Sequence, residues 1–424
     1  MATLLQAPVH AQSLKDAVEQ TVKANPDVRV EAVQRLANNE ALTGARGGYL
    51  PKVDVLVGYG REWSKNPVTN FQGRSLNREE GQLTLTQMLF DGFGVSSEVN
   101  RQKARVESAA YKTLGTAESA ALQAIEAYMN VLRNRDLVEL TKTNLATHLR
   151  TQDQIGIRSK GGIGRKSDQE QIDARVGLAK ANLVAAQANL RDSEINFLRV
   201  VGAKPDNLTK PVAPDAGLIP KSEEEAVQRA IDSHPILKSA AADVEATNQQ
   251  HQAAKSFMYP RFDAELGYGK NRNLDGSPGD NDERYAMLRM RYNIFKGGSD
   301  YARVHETGYL NSEAKEVMNR TRRQVDESTR LSWNALYSAI DRLPALREHA
   351  EMSAATRDSY VKQFNLGQRT LLDLLDSENE AYTAQSNYVN ATYLEQFARY
   401  RLMADFGQLL SFVGVAAPEE AMLK

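Results

Sequence analysis

The sequence predicts a mainly α protein with two-faced β-strands of membrane-spanning length, assembled from two copies of one unit. Three observations carry that prediction. The stretch "YLPKVDVLVGYG" (49–60) returns as "YPRFDAELGYG" (259–269), with Pro51 and Pro260, and Gly58 and Gly267, each 209 positions apart. Self-similarity over this much chain marks a duplicated unit. Long segments carry apolar residues at every third or fourth position, the period of one helical face, and four short runs alternate apolar with polar residues, the period of a two-faced strand.

Residues 12–203 form the first repeat. "EQTVKANP" (19–26) reads as a short helix closed by an Asn-Pro break, because the residue before proline is pushed out of the helical region. Its counterpart is "QRAIDSHP" (228–235), with Pro26 and Pro235 again 209 apart. A longer helix follows the break, then strands at about 51–62 and 81–90, then long helices at 95–158 and 167–200. On the first long helix Leu114, Ala117, Ala121, Ile125, Tyr128 and Leu132 make one face. At 1.5 Å per residue that helix is roughly 95 Å long, whereas globular helices average about a dozen residues. The proline-containing stretch 204–221 reads as a linker. Residues 222–410 repeat the order, with strands at about 260–270 and 284–295, long helices at 298–366 and 370–410, and a tail at 411–424. Past the strands the offset is 205, pairing Phe90 with Phe295, Tyr128 with Trp333, Gly162 with Gly367, Asp168 with Asp373, and Gly202 with Gly407. Pro344 departs from the pattern and is expected to kink its helix or loosen a turn.

Each strand run has two faces. Val53, Val55, Val57 and Tyr59 share one in the first run; Phe262, Ala264, Leu266 and Tyr268 share one in the third, opposite Asp263 and Glu265. In the fourth, Ala286, Leu288, Met290, Tyr292 and Ile294 oppose Arg289 and Arg291. Runs of nine to twelve residues match a tilted strand crossing a bilayer, although a soluble sheet with one wet face shows the same alternation. If the strands cross a membrane, Asp54, Asp263, Glu265, Arg289 and Arg291 line a lumen, while Val53, Val55, Val57, Phe262, Leu266 and Tyr292 face lipid. Four strands are too few to close a barrel, and open edges cannot sit in hydrocarbon. Several chains would then have to share one barrel.

Composition removes other classes. With 53 Lys and Arg against 54 Asp and Glu, the chain has no general attraction for nucleic acid. No stretch reaches the eighteen or so apolar residues of a membrane-spanning helix. The absence of cysteine from these 424 residues excludes disulfides, thiolate catalysis and cysteine-ligated zinc among them, and an N-terminal lipidated cysteine is not expected. The six histidines (10, 148, 234, 251, 305 and 349) show no metal-ligand spacing, so no metal or cofactor is expected. "GGIGRKS" (161–167) departs from the phosphate-loop spacing at Arg165 and has helices on both sides, while Ser167 with Glu170 reads as a capping box. Nothing here points to an enzyme. Val9-His10-Ala11 is like the small-residue end of a secretory signal without its basic and long apolar parts. Residues 1–11 therefore read as a signal remnant, a chance likeness being the alternative.

"FNLGQRTLLDLLDSENEAY" (364–382) holds the chain's most specific motif. Thr370 and Asp373 have capping-box spacing, and Asp376 lies one turn further on the same face. With duplicated helix–strand–strand–helix units, with "GYLPKVDV" and "QMLFDGFG" bounding the strands, and with Gly-x-Arg-Thr-x-x-Asp-x-x-Asp opening the last helix, the chain resembles the TolC-type outer-membrane factor family from about Ser13 to Gly407. The resemblance implies a homotrimeric channel, in which each chain gives four strands to a shared 12-stranded outer-membrane β-barrel continued by a long periplasmic α-helical barrel. A tube wall wet on both sides fits a mean hydropathy of -0.52.

The same resemblance implies a periplasmic gate built on Asp373, Asp376, Arg369, Asp168 and Phe364, the last standing where the family often has a tyrosine. It implies docking of a periplasmic adaptor at tip turns that include Gly162, Gly164, Arg165, Gly367 and Gln368. Three copies of each gate aspartate would raise one another's pKa and attract cations. The expected function is a passive exit duct working with an adaptor and an inner-membrane transporter. "GGIGRKSDQEQIDARVGLAKANL" looks like the turn of type I secretion members, which implies an ABC transporter and protein cargo. The alternatives are drug efflux with an RND or other pump and, in a different class, a soluble helical scaffold.

Overall fold

The computed structural model describes residues 12–161, 165–212 and 216–423, so the segment read as a signal remnant lies outside the described residues. In chain order the elements are α1 (Leu14–Ala24), α2 (Pro26–Arg46), β1 (Lys52–Ser64), β2 (Arg74–Phe90), α3 (Gly94–Lys160) and α4 (Lys166–Val201). They continue with α5 (Glu223–Ser233), α6 (Pro235–Lys255), β3 (Arg261–Arg272), β4 (Asp280–Arg291), α7 (Ser299–Asn365), α8 (Leu371–Asp405) and α9 (Leu409–Val413). Up to α8 the two halves carry the same order. α3 and α7 are each 67 residues long, and α4 and α8 are 36 and 35.

The boundaries have local causes. Ser13 and Asp16 form a capping box that starts α1. Asn25 and His234 are extended because a proline follows each. Pro26 and Pro235 then open α2 and α6, at a position where a missing N–H leaves no bond unmade. α4 begins at Lys166 behind Arg165, so Ser167 lies within the helix and does not cap it. α7 runs unbroken through Pro344. That residue is exposed, and its missing N–H leaves the carbonyl four residues earlier without its helical hydrogen bond. The last long helix stops at Asp405, short of the expected 410. There Gly407 takes φ +62, and a Cβ on it would lie 2.4 Å from Pro235 Cδ.

Two compact units are present: residues 1–33, 110–238 and 321–424 form one, and 34–109 with 239–320 form the other. The first is a helical unit with two apolar cores. The larger core buries Val18 of α1, Ile125 and Tyr128 of α3, Phe197 of α4, Leu402 and Met403 of α8, and Phe406, Leu409 and Leu410 beyond it. Each such side chain contributes roughly 2–3 kcal/mol of apolar transfer. The linker residues Thr209 and Val212 are held at this core by tyrosine hydroxyls. Tyr128 donates to the carbonyls of Thr209 (2.6 Å) and Gln12 (2.9 Å), and Tyr400 donates to Val212 (3.2 Å).

The second unit is built on one antiparallel sheet ordered β1-β2-β3-β4. Its register sorts the side chains. Val53, Leu85, Leu266 and Ala286 form one row, and Val55, Leu83 and Tyr268 another on the same face. Asp54, Thr84, Gly267 and Tyr285 form a row on the opposite face. The strands differ from expectation at their ends. β2 starts at Arg74 because its polar first half pairs with Tyr59–Ser64 of β1. β4 covers 280–291, not 284–295, so Tyr292 lies past the ladder and outside the apolar row assigned to it. The cause is Pro260: β3 cannot extend behind Arg261, the partner of Arg291, where an N–H is missing.

Candidate functional site

The helix ends of the first unit hold the expected gate residues. Gly162 and Gly164 lie outside the described residues. Arg165 is the exposed N-cap residue of α4, and its carbonyl accepts from the Asp168 amide at 3.1 Å. Asp168 is half-buried in the first turn of that helix, where the dipole favours a carboxylate. On the other turn the Gly367 N–H donates to Phe364 O (3.0 Å), and the Gln368 N–H donates to Gln363 O (2.9 Å). This Schellman closure requires Gly367 at φ +75, and the space around it is open.

The aspartates have separate duties. Asp373 accepts from Thr370 N (3.1 Å) and Thr370 Oγ1 (2.9 Å), while its own N–H donates back to Thr370 Oγ1 (3.2 Å). Those hydrogen bonds, with a smaller push from the Arg369 charge, hold its carboxyl below the usual carboxylate range. Within the chain the capping bonds therefore act against the rise expected of a ring of like charges. Asp376 is exposed and accepts from Arg175 Nη2 of α4 at 3.2 Å. Arg369 turns back onto α7, donating to Gln363 (3.0 Å) with its guanidinium 4.3 Å from the Tyr360 ring centre. Phe364 is only 5% exposed and packs with Ile155, Ile172, Val176, Leu371, Leu374 and Leu375 in the smaller core. Arg158 lies 4.9 Å from the centre of its ring. Phe364 thus contributes packing between the helices at this end.

Sequence reasoning missed four residues here. Arg175 lies 201 positions from Asp376, one turn past Gln171, the repeat mate of Asp376 at the 205 offset. Tyr360 lies one helical turn before Phe364 and could have been found by that spacing. Arg158, the cation over the Phe364 ring, carried no local signal. Glu378 shares the face of Leu371, Leu374 and Leu375 and is buried with them. It lines a cleft of about 520 Å³ with Arg150 and Arg357, and burial raises its pKa.

The charged sheet face of the second unit carries the other expected residues. Asp54 is exposed and paired with Lys52 at 3.0 Å. Asp263 and Glu265 are held under guanidiniums. Arg291 reaches Asp263 at 2.7 Å and Glu265 at 2.6 Å, Arg289 binds Glu265, and Arg261, absent from the sequence reading, reaches Asp263 at 3.0 Å. The opposite face exposes Val53, Val55, Val57, Tyr59, Leu266 and Leu288. No helix of the described residues is long and apolar enough to cross a membrane.

A sheet apolar on one face and ionic on the other, carried in one chain with helices of 67 residues, defines the subunit of an outer-membrane channel. The chain belongs to the outer membrane efflux protein family, whose model matches residues 17–203 and 226–408. It is 24% identical to the outer membrane efflux protein BepC of Brucella suis biovar 1, over 94% of this chain and 86% of the relative. The outer membrane protein TolC of Vibrio cholerae is 23% identical over 99% and 94%, and the alkaline protease secretion protein AprF of Pseudomonas aeruginosa is 24% identical over 95% and 86%. The solved outer-membrane channel OprN has the same fold, with a TM-score of 0.80 at 18% identity over 93% of this chain and 89% of that one. The protein is a passive outer-membrane efflux channel extending into the periplasm, not an enzyme. Its family works in tripartite systems with a periplasmic adaptor and an inner-membrane transporter.

Proposed function

We propose that this chain is one third of a trimeric exit duct serving type I protein secretion. The observation that carries the trimer is the sheet itself. β1 and β4 are each paired on one side only, and one face is apolar and exposed. In hydrocarbon both free edges must be paired. Three copies joined β4 to β1 close twelve strands, with Asp54, Asp263, Glu265, Arg289 and Arg291 inside. The turns holding Arg165, Gly367 and Gln368, with Gly162 and Gly164, then meet the adaptor. Asp168, Arg369, Asp373, Asp376 and Phe364 form the gate. The choice of protein cargo is supported by the likeness to a protein named for alkaline protease secretion and by the first-repeat turn. The name of BepC, an outer membrane efflux protein, supports a second reading, an efflux duct.

Deleting the gene in its native host distinguishes the two. Loss of one large protein from the medium with unchanged drug tolerance is the expected result; drug sensitivity with intact secretion would replace secretion by efflux. Light scattering of the detergent-extracted protein should give a trimer, and a monomer would remove the duct.

A further inference from the structure

Charge is unevenly arranged on the ionic face of the sheet. Where β3 begins and β4 ends, three arginines meet two carboxylates. The Asp263 side chain is 0% exposed and that of Glu265 8%, whereas Arg261, Arg289 and Arg291 are 51%, 42% and 57% exposed. The acids lie underneath and the guanidiniums above them, so the surface presented is cationic. Arg291 spans both carboxylates, Arg289 holds Glu265, and Arg261 reaches both oxygens of Asp263 through Nε, each at 3.0 Å. Arg261 is therefore the surplus cation. Without it Asp263 keeps Arg291, and Glu265 keeps Arg289 and Arg291.

The terminal nitrogens of Arg261 make no hydrogen bond among the described residues. Arg261 and Arg291 also line a cavity of about 840 Å³ together with Phe257, Tyr259, Tyr292 and Asp91. Asp91 brings a negative charge to the same cavity, but its Oδ2 accepts the Val95 N–H at 2.7 Å at the start of α3, and among the described residues it forms no ion pair with Arg261 or Arg291.

We propose that Arg261, with Arg289 and Arg291, forms a carboxylate-binding collar that engages acidic segments of polypeptide cargo as they pass. The collar rests on the trimeric reading, in which this face lines the lumen and three copies bring nine guanidiniums over six carboxylates. A guanidinium fork matches a carboxylate in two parallel hydrogen bonds. A narrow wall with a net excess of one sign also concentrates counter-charges beyond what isolated residues achieve. The cavity beside the collar adds aromatic surface, which suits a peptide better than a bare anion.

The test is block of the trimer's conductance in a planar bilayer by poly-L-glutamate, added on the side of the strand hairpins, with inorganic polyphosphate as the comparison. Arg261→Gln should raise the half-blocking concentration of poly-L-glutamate about tenfold, while Arg261→Lys, which keeps the charge but not the fork, should recover only part of the block. Arg289→Gln is the second neutralising variant, since Glu265 retains Arg291 in it, and a similar loss of block is expected. Block that ignores both neutralisations overturns the collar, as does an Arg261 dependence seen with polyphosphate alone. Wild-type protein that forms no channel overturns the duct reading and the collar with it; conductance without arginine-dependent block overturns the collar only.

Discussion

Replacing Glu118 by Gln should abolish a pH dependence in the anchoring of the C-terminal segment. Glu118 sits on α3 beside Ala117 and Ala121, is 5% exposed, and accepts from the Leu409 N–H (2.9 Å) and the Leu410 N–H (3.3 Å) at the start of α9. Burial is the largest influence and pushes its carboxyl from 4.5 up to about 7, against the two amide donors. A carboxyl whose pKa rises on folding is at no disadvantage below pH 4.5, where both states are protonated. Above that the released segment leaves an ionised Glu118 while the docked form stays protonated, so docking weakens as pH rises and levels off past pH 7. Between pH 5 and pH 8 the loss integrates to about 2 to 3 kcal/mol, roughly a hundredfold in the opening equilibrium. Hydrogen exchange at the Leu409 and Leu410 amides, corrected for intrinsic rates, reads this directly. Protection should fall with pH in the wild type and stay level in Glu118→Gln, whose amide oxygen still accepts both bonds. An equal fall in both proteins, or protection that rises with pH, would refute the reasoning.

Two further outcomes concern the helix ends. Arg175→Gln should leave unfolding midpoints nearly unchanged, since an exposed pair is worth about 1 kcal/mol or less. By freeing Asp376 it should raise the cation preference of the channel in a bilayer, and an unaltered reversal potential would remove Asp376 from the constriction. Gly407→Ala places an L residue at φ +62 with its Cβ 2.4 Å from Pro235 Cδ. Strain of about 1–2 kcal/mol is expected from the backbone alone, more with the clash, and denaturant midpoints that do not move would show that the α5–α6 turn yields freely.

What the sequence determined by itself is what depends on near neighbours in the chain. The face of Ala117, Ala121, Ile125, Tyr128 and Leu132 was legible because a helix places residues three and four apart together, and those five side chains are buried. The alternation of Val53, Val55 and Val57 was legible because a strand turns each side chain over, and the Thr370–Asp373 box because its partners are three positions apart. Only the tertiary structure decided the rest. Pro260 ended β4 early because the missing N–H belongs to the neighbouring strand, β3. Asp376 found Arg175 across 201 residues, and Glu118 found two amides 291 and 292 residues away. Phe364, expected at the gate from its place in the motif, also packs in a core that four helices complete. Nor does composition tell which carboxylates lie beneath which guanidiniums at Asp263 and Glu265. Ion pairing and burial fall off within a few ångströms, so they depend on which elements pack together, and that information is absent from any short stretch of the chain.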